Sequence, residues 1–98
     1  MKVYIAGKIT GDPNYRKKFQ AVETDLKSLG HAVMNPAVLP DGFEYEDYIS
    51  ICVAMINACD MVYLLDDWEY SRGAKFEKHY AELLGKKINR PALREVQL

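Results

Sequence analysis

In the segment Ser71–Gly85, SRGAKFEKHYAELLG, one carboxylate stands out of pattern. At 100° per residue, the turn of an α-helix, Gly73, Phe76, Tyr80, Leu83 and Leu84 share one arc, with Ala74 and Ala81 on its edge. Arg72, Lys75, Lys78, His79, Glu82 and Lys86 fill the opposite arc. Glu77 falls near the centre of the apolar one. A carboxylate turned toward a core is costly unless it is paired, protonated or set at a cleft that uses it. A glutamate this close to a helix start has a second role open to it, reaching a backbone N–H or complementing the helix dipole. Ser71 and Gly73 lie at that start, where free N–H groups favour an anion such as phosphate.

Other residues with chemical capacity are less pointed. Gly7 and Gly11 flank Lys8-Ile9-Thr10, but this is neither GxGxxG nor a Walker loop, and Gly7 serves equally to turn the chain off a strand. Asp60, Asp66 and Asp67 bracket an apolar run, a placement that suits loop capping more often than a metal. Trp68 and Tyr70 suit either stacking on a base or covering the core. Cys52 and Cys59 are two helical turns apart on one face, too far for a disulfide, and His31 and His79 form no metal-ligand spacing with them. Two core thiols in a reducing compartment follow, and with no signal peptide, lipidation motif or long apolar run the expected location is the cytoplasm.

The elements that must position these residues alternate. Lys2–Gly7, KVYIAG, is a nearly continuous apolar run and predicts a strand covered on both faces. Asp12 as N-cap and Pro13 at the first helical position predict a helix carrying the stripe Tyr15, Phe19, Val22, Leu26 and Leu29, stopped by Gly30. His31–Ala37 predicts a second strand, ended by Asn35-Pro36. A loop over Val38–Glu44 leads to a helix over Tyr45–Ala58, with Tyr48, Ile51, Cys52, Met55, Ile56 and Cys59 on one face. Met61–Leu65 predicts a third buried strand, followed by the loop Asp66–Gly73 and the helix of Glu77. Lys86–Asn89 is compatible with a fourth strand, and Arg90–Leu98 receives no assignment. The order β-α-β-α-β-α, with or without a last strand, predicts an α/β three-layer sandwich: a parallel sheet of four strands, or three, flanked by helices in a flavodoxin- or Rossmann-like arrangement. Ligands of such sheets bind beyond the carboxyl ends of the strands. The loops Gly7–Gly11, Asn35-Pro36 and Asp66–Gly73 meet there, and Glu77 lies one turn inside the third helix.

Ninety-eight residues allow one domain, 1–98, with one modest core. A net charge of −1 implies no general attraction to nucleic acid or to an anionic membrane. The one basic cluster, Arg16-Lys17-Lys18, reads as a solvated helix face.

Taken together, YIAGKITG, MNPA, CDMVYLLDDW and SRGAKFEKHYAELLGKKI resemble the nucleoside 2-deoxyribosyltransferase-like superfamily, in particular its small bacterial and phage branch, over residues 1–88. The resemblance implies cleavage or exchange of the N-glycosidic bond of deoxynucleosides or deoxynucleoside 5′-monophosphates. It assigns the nucleophile to Glu77, phosphate binding to Ser71, and ligand contacts to Gly73, Tyr4, Gly7, Lys8 and Ile9. It implies a small-molecule nucleoside or nucleotide as partner, a homodimer, and no metal or cofactor. One departure weighs against activity. Relatives carry an aspartate eight residues before the aspartate that opens the third strand, and here Cys52 stands eight residues before Asp60. Asp47 and Glu46 are more than a helical turn from it, and 89–98 shows no counterpart of the partner-subunit residue that often completes the site. Two further functions therefore stay open: a nucleotide-binding or sensing module without catalysis, and an interaction protein such as a phage accessory factor that binds a host protein.

Overall fold

A computed structural model of the chain describes residues 1–89. Four parallel strands, β1 (Lys2–Ala6), β2 (Ala32–Met34), β3 (Met61–Leu64) and β4 (Lys87–Asn89), form one sheet in the order β2-β1-β3-β4. Three helices, α1 (Tyr15–Ser28), α2 (Tyr45–Asn57) and α3 (Arg72–Leu83), fill the crossovers. The register pairs Val3 with Val33 on one side of β1 and with Met61 on the other. This is the flavodoxin-like order, whose strand sequence reverses between β1 and β3.

β1 is covered on both faces, as its composition predicts: Val3, Tyr4, Ile5 and Ala6 are fully buried. Successive side chains of a strand point to opposite faces. Val3 and Ile5 pack with Phe19, Leu26, Ala37 and Leu65 in the layer of α1. Tyr4 and Ala6 pack with Cys52, Ile56, Cys59, Ala74 and Ala81 in the layer of α2 and α3. Lys87–Asn89 pairs with β3 and settles the sheet at four strands. Arg90–Leu98, the unassigned end of the chain, lies outside the described residues.

Several boundaries differ from the sequence reading. α1 begins at Tyr15 behind Asn14 rather than behind Asp12. The Asp12 carboxylate instead accepts the Asn14 amide at 2.9 Å, closing a turn ahead of the helix. The second strand stops at Met34, because Asn35 caps a short 3-10 turn, Pro36–Val38, by accepting the Ala37 N–H at 2.8 Å. Leu29, the last residue of the expected α1 stripe, is 73% exposed just past the helix end. Lys18 is not a solvated lysine: its ammonium is paired with Asp12 and Asp67.

The largest revision concerns α3. Its buried line is Ala74 and Ala81, whereas Phe76, Leu83 and Leu84 are 43–72% exposed. Small side chains let the helix axis come close to the sheet, so the large apolar residues turn outward. Glu77 lies three residues after Ala74 and four before Ala81, on the same helix face. It is thus on the sheet-facing line more fully than the arc of large apolar residues implies.

Candidate functional site

β1 ends at Ala6, and Gly7 carries the chain over the sheet edge. A Cβ built on Gly7 would meet the Leu65 side chain at 2.6 Å, so nothing larger than glycine fits there without displacing Leu65. The segment Gly7–Thr10 then borders a cleft of about 770 Å³ beyond the carboxyl end of β1, lined also by the segment after β2, by α2 and by the start of α3. A cavity of that size accommodates a nucleotide-sized molecule. Its opposite wall comes from the start of α3, with Ser71, Arg72, Gly73 and Phe76, and its floor from Tyr4, Cys52 and Glu77.

Glu77 is half-buried on that floor. The Tyr4 hydroxyl donates to Glu77 Oε2 at 2.7 Å, across 73 residues of chain. Cys52, from the middle of α2, borders the same floor and interacts electrostatically with both. Among the described residues no Lys, Arg or His forms an ion pair with Glu77. Burial therefore dominates and pushes the Glu77 carboxyl up to about 7, against the Tyr4 hydrogen bond and the Cys52 interaction, which favour the anion. Burial and the neighbouring Glu77 hold the Tyr4 phenol well above its ordinary value. The Cys52 thiol is pushed up to about 11, first by burial and then by Glu77. Near neutral pH the site thus holds a carboxyl poised between its two forms, a phenol that only donates, and a thiol that stays protonated.

At the start of α3, Ser71 Oγ accepts the Ala74 amide at 3.1 Å as the helix cap. The first-turn amides of Arg72 and Gly73 have no intrahelical acceptor, the usual condition for holding an anion. A Cβ on Gly73 would meet only Ser71 Oγ, at 3.8 Å, so the protein leaves open space beside this residue.

The residues to which the resemblance gives site roles, Tyr4, Gly7, Lys8, Ile9, Ser71, Gly73 and Glu77, border this one cleft, and so does Cys52. Trp68 and Tyr70 do not: Trp68 packs against the α2/α3-side core beneath the Lys78 ammonium, and Tyr70 is 78% exposed. Two of the aspartates around β3 bind backbone: Asp60 accepts the Lys2 amide and Asp67 the Lys8 amide, both at 3.0 Å. Among the described residues no three His, Cys, Asp or Glu side chains gather as a metal site requires.

The sequence reading missed part of the wall. Tyr15, Tyr45, Tyr48 and Arg72 line the cleft, as do Leu39, Pro40 and Asp41 from the loop before α2. Tyr48 fixes that loop, donating to the Pro40 carbonyl at 2.7 Å and accepting the Phe43 amide at 3.2 Å. A usable signal existed: Tyr15, Tyr45 and Arg72 each occupy the first position of a helix whose start faces the carboxyl end of the sheet.

The fold is that of a known enzyme class. The chain superposes on a 2-deoxyribosyltransferase from Leishmania mexicana with a TM-score of 0.73 and 24% identity over 91% of its own length. It spans 62% of that longer chain, and the likeness is one of fold. No curated protein matches the sequence. Among the described residues no helix is long and apolar enough to cross a membrane. A family model described as a domain of unknown function, DUF4406, matches residues 1–90, and the chain belongs to that family.

Proposed function

We propose that this chain, a single domain, cleaves or exchanges the N-glycosidic bond of deoxynucleosides or their 5′-monophosphates, with Glu77 as nucleophile. The observation that carries this reading is Glu77 itself: a carboxylate with no counter-cation among the described residues, on the floor of a nucleotide-sized cleft and held by Tyr4 at 2.7 Å. The ionised carboxylate attacks C1′ of the sugar. The C1′–N bond breaks, its electron pair leaves with the base, and a glycosyl ester forms on Glu77. Water or a second base then opens that ester. The departing base must take up a proton. The Cys52 thiol, pushed up to about 11, is a weak acid for that task, so bases that leave readily are the preferred substrates. Ser71 and the α3 start would receive the 5′-phosphate, with Gly7, Lys8, Ile9 and Gly73 around the ligand.

A base-release assay tests this. Purified protein is incubated with the common deoxynucleosides and their 5′-monophosphates, with and without an acceptor base, beside Glu77→Gln. Free or exchanged base from the wild type alone supports the assignment. Turnover retained in folded Glu77→Gln removes Glu77 as nucleophile.

Cys52 favours a second reading, a nucleotide-binding module that keeps the pocket without the chemistry. That reading expects nucleotides to raise Tm with no product formed. The homodimer implied by the resemblance fits the apolar side chains left exposed on α2 and α3, Ile51, Phe76, Leu83 and Leu84, and a measured solution mass decides it. A cytoplasmic location fits two cysteines that are both free and buried.

A further inference from the structure

The loop segment Gly7 to Thr10 borders the cleft, and such a surface loop depends on contacts to its surroundings to keep its shape. Both backbone groups of Lys8 are taken. Its N–H donates to Asp67 Oδ1 at 3.0 Å, and its carbonyl accepts from Lys18 Nζ at 3.3 Å. Lys18 and Asp67 are ion-paired to each other, and Lys18 also reaches Asp12 Oδ2 at 2.5 Å. Neither Lys18 nor Asp67 borders the cleft. Lys18 comes from the second turn of α1, Asp67 from the loop after β3, and Asp12 from the turn before α1. The pair therefore ties together the two loops that flank the strand-order reversal. All three side chains are 24–30% exposed, so water screens the ion pairs less than at an open surface. Burial pulls the Lys18 ammonium down, but hydrogen bonds to Asp12 and Asp67 outweigh it and hold it above its ordinary value. Its charge is thus permanent across the physiological range.

We propose that Lys18 and Asp67 are positioning residues: an electrostatic clamp on the Lys8 peptide that keeps Gly7–Thr10 in the shape that receives the ligand. Glu77 hangs from α3 and is untouched by the clamp. Loosening the clamp should therefore weaken ligand binding and leave the chemical step nearly intact. The clamp rests on the reading of the cleft as a nucleotide site only for the ligand it serves. Its effect on the loop stands alone.

Lys18→Met, Lys18→Arg and Asp67→Asn are compared with the wild type by residue-resolved amide exchange, by titration with the four common deoxynucleoside 5′-monophosphates, and by turnover of those same compounds. Asp67→Asn keeps an acceptor for the Lys8 N–H and guards against a Lys18→Met chain that does not fold. In Lys18→Met and Asp67→Asn, exchange at Lys8, Ile9 and Thr10 should rise while the β1 and β3 amides hold. The monophosphate Kd, and KM where turnover occurs, should rise about tenfold with kcat within about twofold, the expected cost of misplacing a ligand-positioning wall. Lys18→Arg, which keeps the cation, should restore most of both. Unchanged exchange at Lys8, or a rise spread evenly over the sheet, overturns the clamp. A kcat loss with KM unchanged overturns its positioning role. A wild type that neither binds nor turns over these nucleotides removes the 5′-monophosphates as its substrates, and the exchange data then decide the clamp without them.

Discussion

The two faces of β1 make an instructive pair. Val3 and Ile5 point into the α1 layer and pack in an apolar cluster with Phe19, Leu26 and Leu65 among others. Tyr4 and Ala6, the alternate residues of the same strand, point into the layer of α2 and α3, where many neighbours are small: Cys52, Cys59, Ala74 and Ala81. Small residues let two helices close on the sheet and still leave room for a phenol, a thiol and a carboxyl to meet. One face of the strand is thus spent on stability, while the other holds a polar group whose burial works against it. A site placed on the floor of the sheet inherits the rigidity of the first face and carries the strain of the second.

That contrast can be broken deliberately. The largest effect expected is on the polar face. Glu77→Gln should lower base release by at least about a thousandfold, roughly 4 kcal/mol of barrier, with circular dichroism unchanged. Next comes the apolar face. Leu26→Ala, well away from the cleft, should cost about 3 kcal/mol in denaturant unfolding and leave turnover of the folded protein as it was. An equal loss of turnover would show that the two faces are not separable.

The third prediction turns on the sign of the Glu77 shift. Its carboxyl is raised from 4.5 to about 7 by burial, so the folded chain holds this proton longer than the unfolded chain. Below about pH 4.5 both forms are protonated and the contribution to stability is whole. Between about pH 4.5 and 7 the unfolded chain ionises first and stability falls. Above pH 7 the loss is complete, on the order of 3 kcal/mol. Glu77→Gln should therefore raise Tm at pH 8 and remove this slope, and a variant no more stable than the wild type at pH 8 would mean that Glu77 is better solvated than its position implies. Turnover should move in the opposite sense, rising through about pH 7 as the nucleophilic carboxylate forms.

The smallest effect belongs to Tyr4→Phe. The lost hydrogen bond favoured the carboxylate, so Glu77 should titrate higher and the midpoint of the pH–rate profile should move up. At pH 7 the rate should drop about tenfold, or 1.4 kcal/mol. A rate loss with the midpoint unmoved would make Tyr4 a ligand contact and not a tuner of Glu77.

Much of this was legible in the residues. The alternation of apolar runs and helical stripes predicted the strand and helix order, because period and punctuation are local properties of the chain. The misfit of Glu77 was legible too, since a carboxylate among apolar neighbours needs a reason wherever the helix docks. The docking itself was not. The large residues Phe76 and Leu83 suggested one buried face for α3, and the short side chains Ala74 and Ala81 took it. Hydrophobicity ranks side chains by transfer, while close approach of a helix to a sheet is governed by size.

Sequence by itself determined the elements, their order, and the gathering of Gly7, Ser71 and Glu77 at one end of a parallel sheet, because connection and chirality rules leave few arrangements for such a chain. Only the tertiary structure decided that Tyr4 reaches Glu77, that Cys52 completes the trio, and that Lys18 pairs with Asp67. These partners are 25–73 residues apart. Whether they meet depends on register, on helix rotation and on the depth of each side chain, quantities that arise from the packed whole and from no local stretch of it.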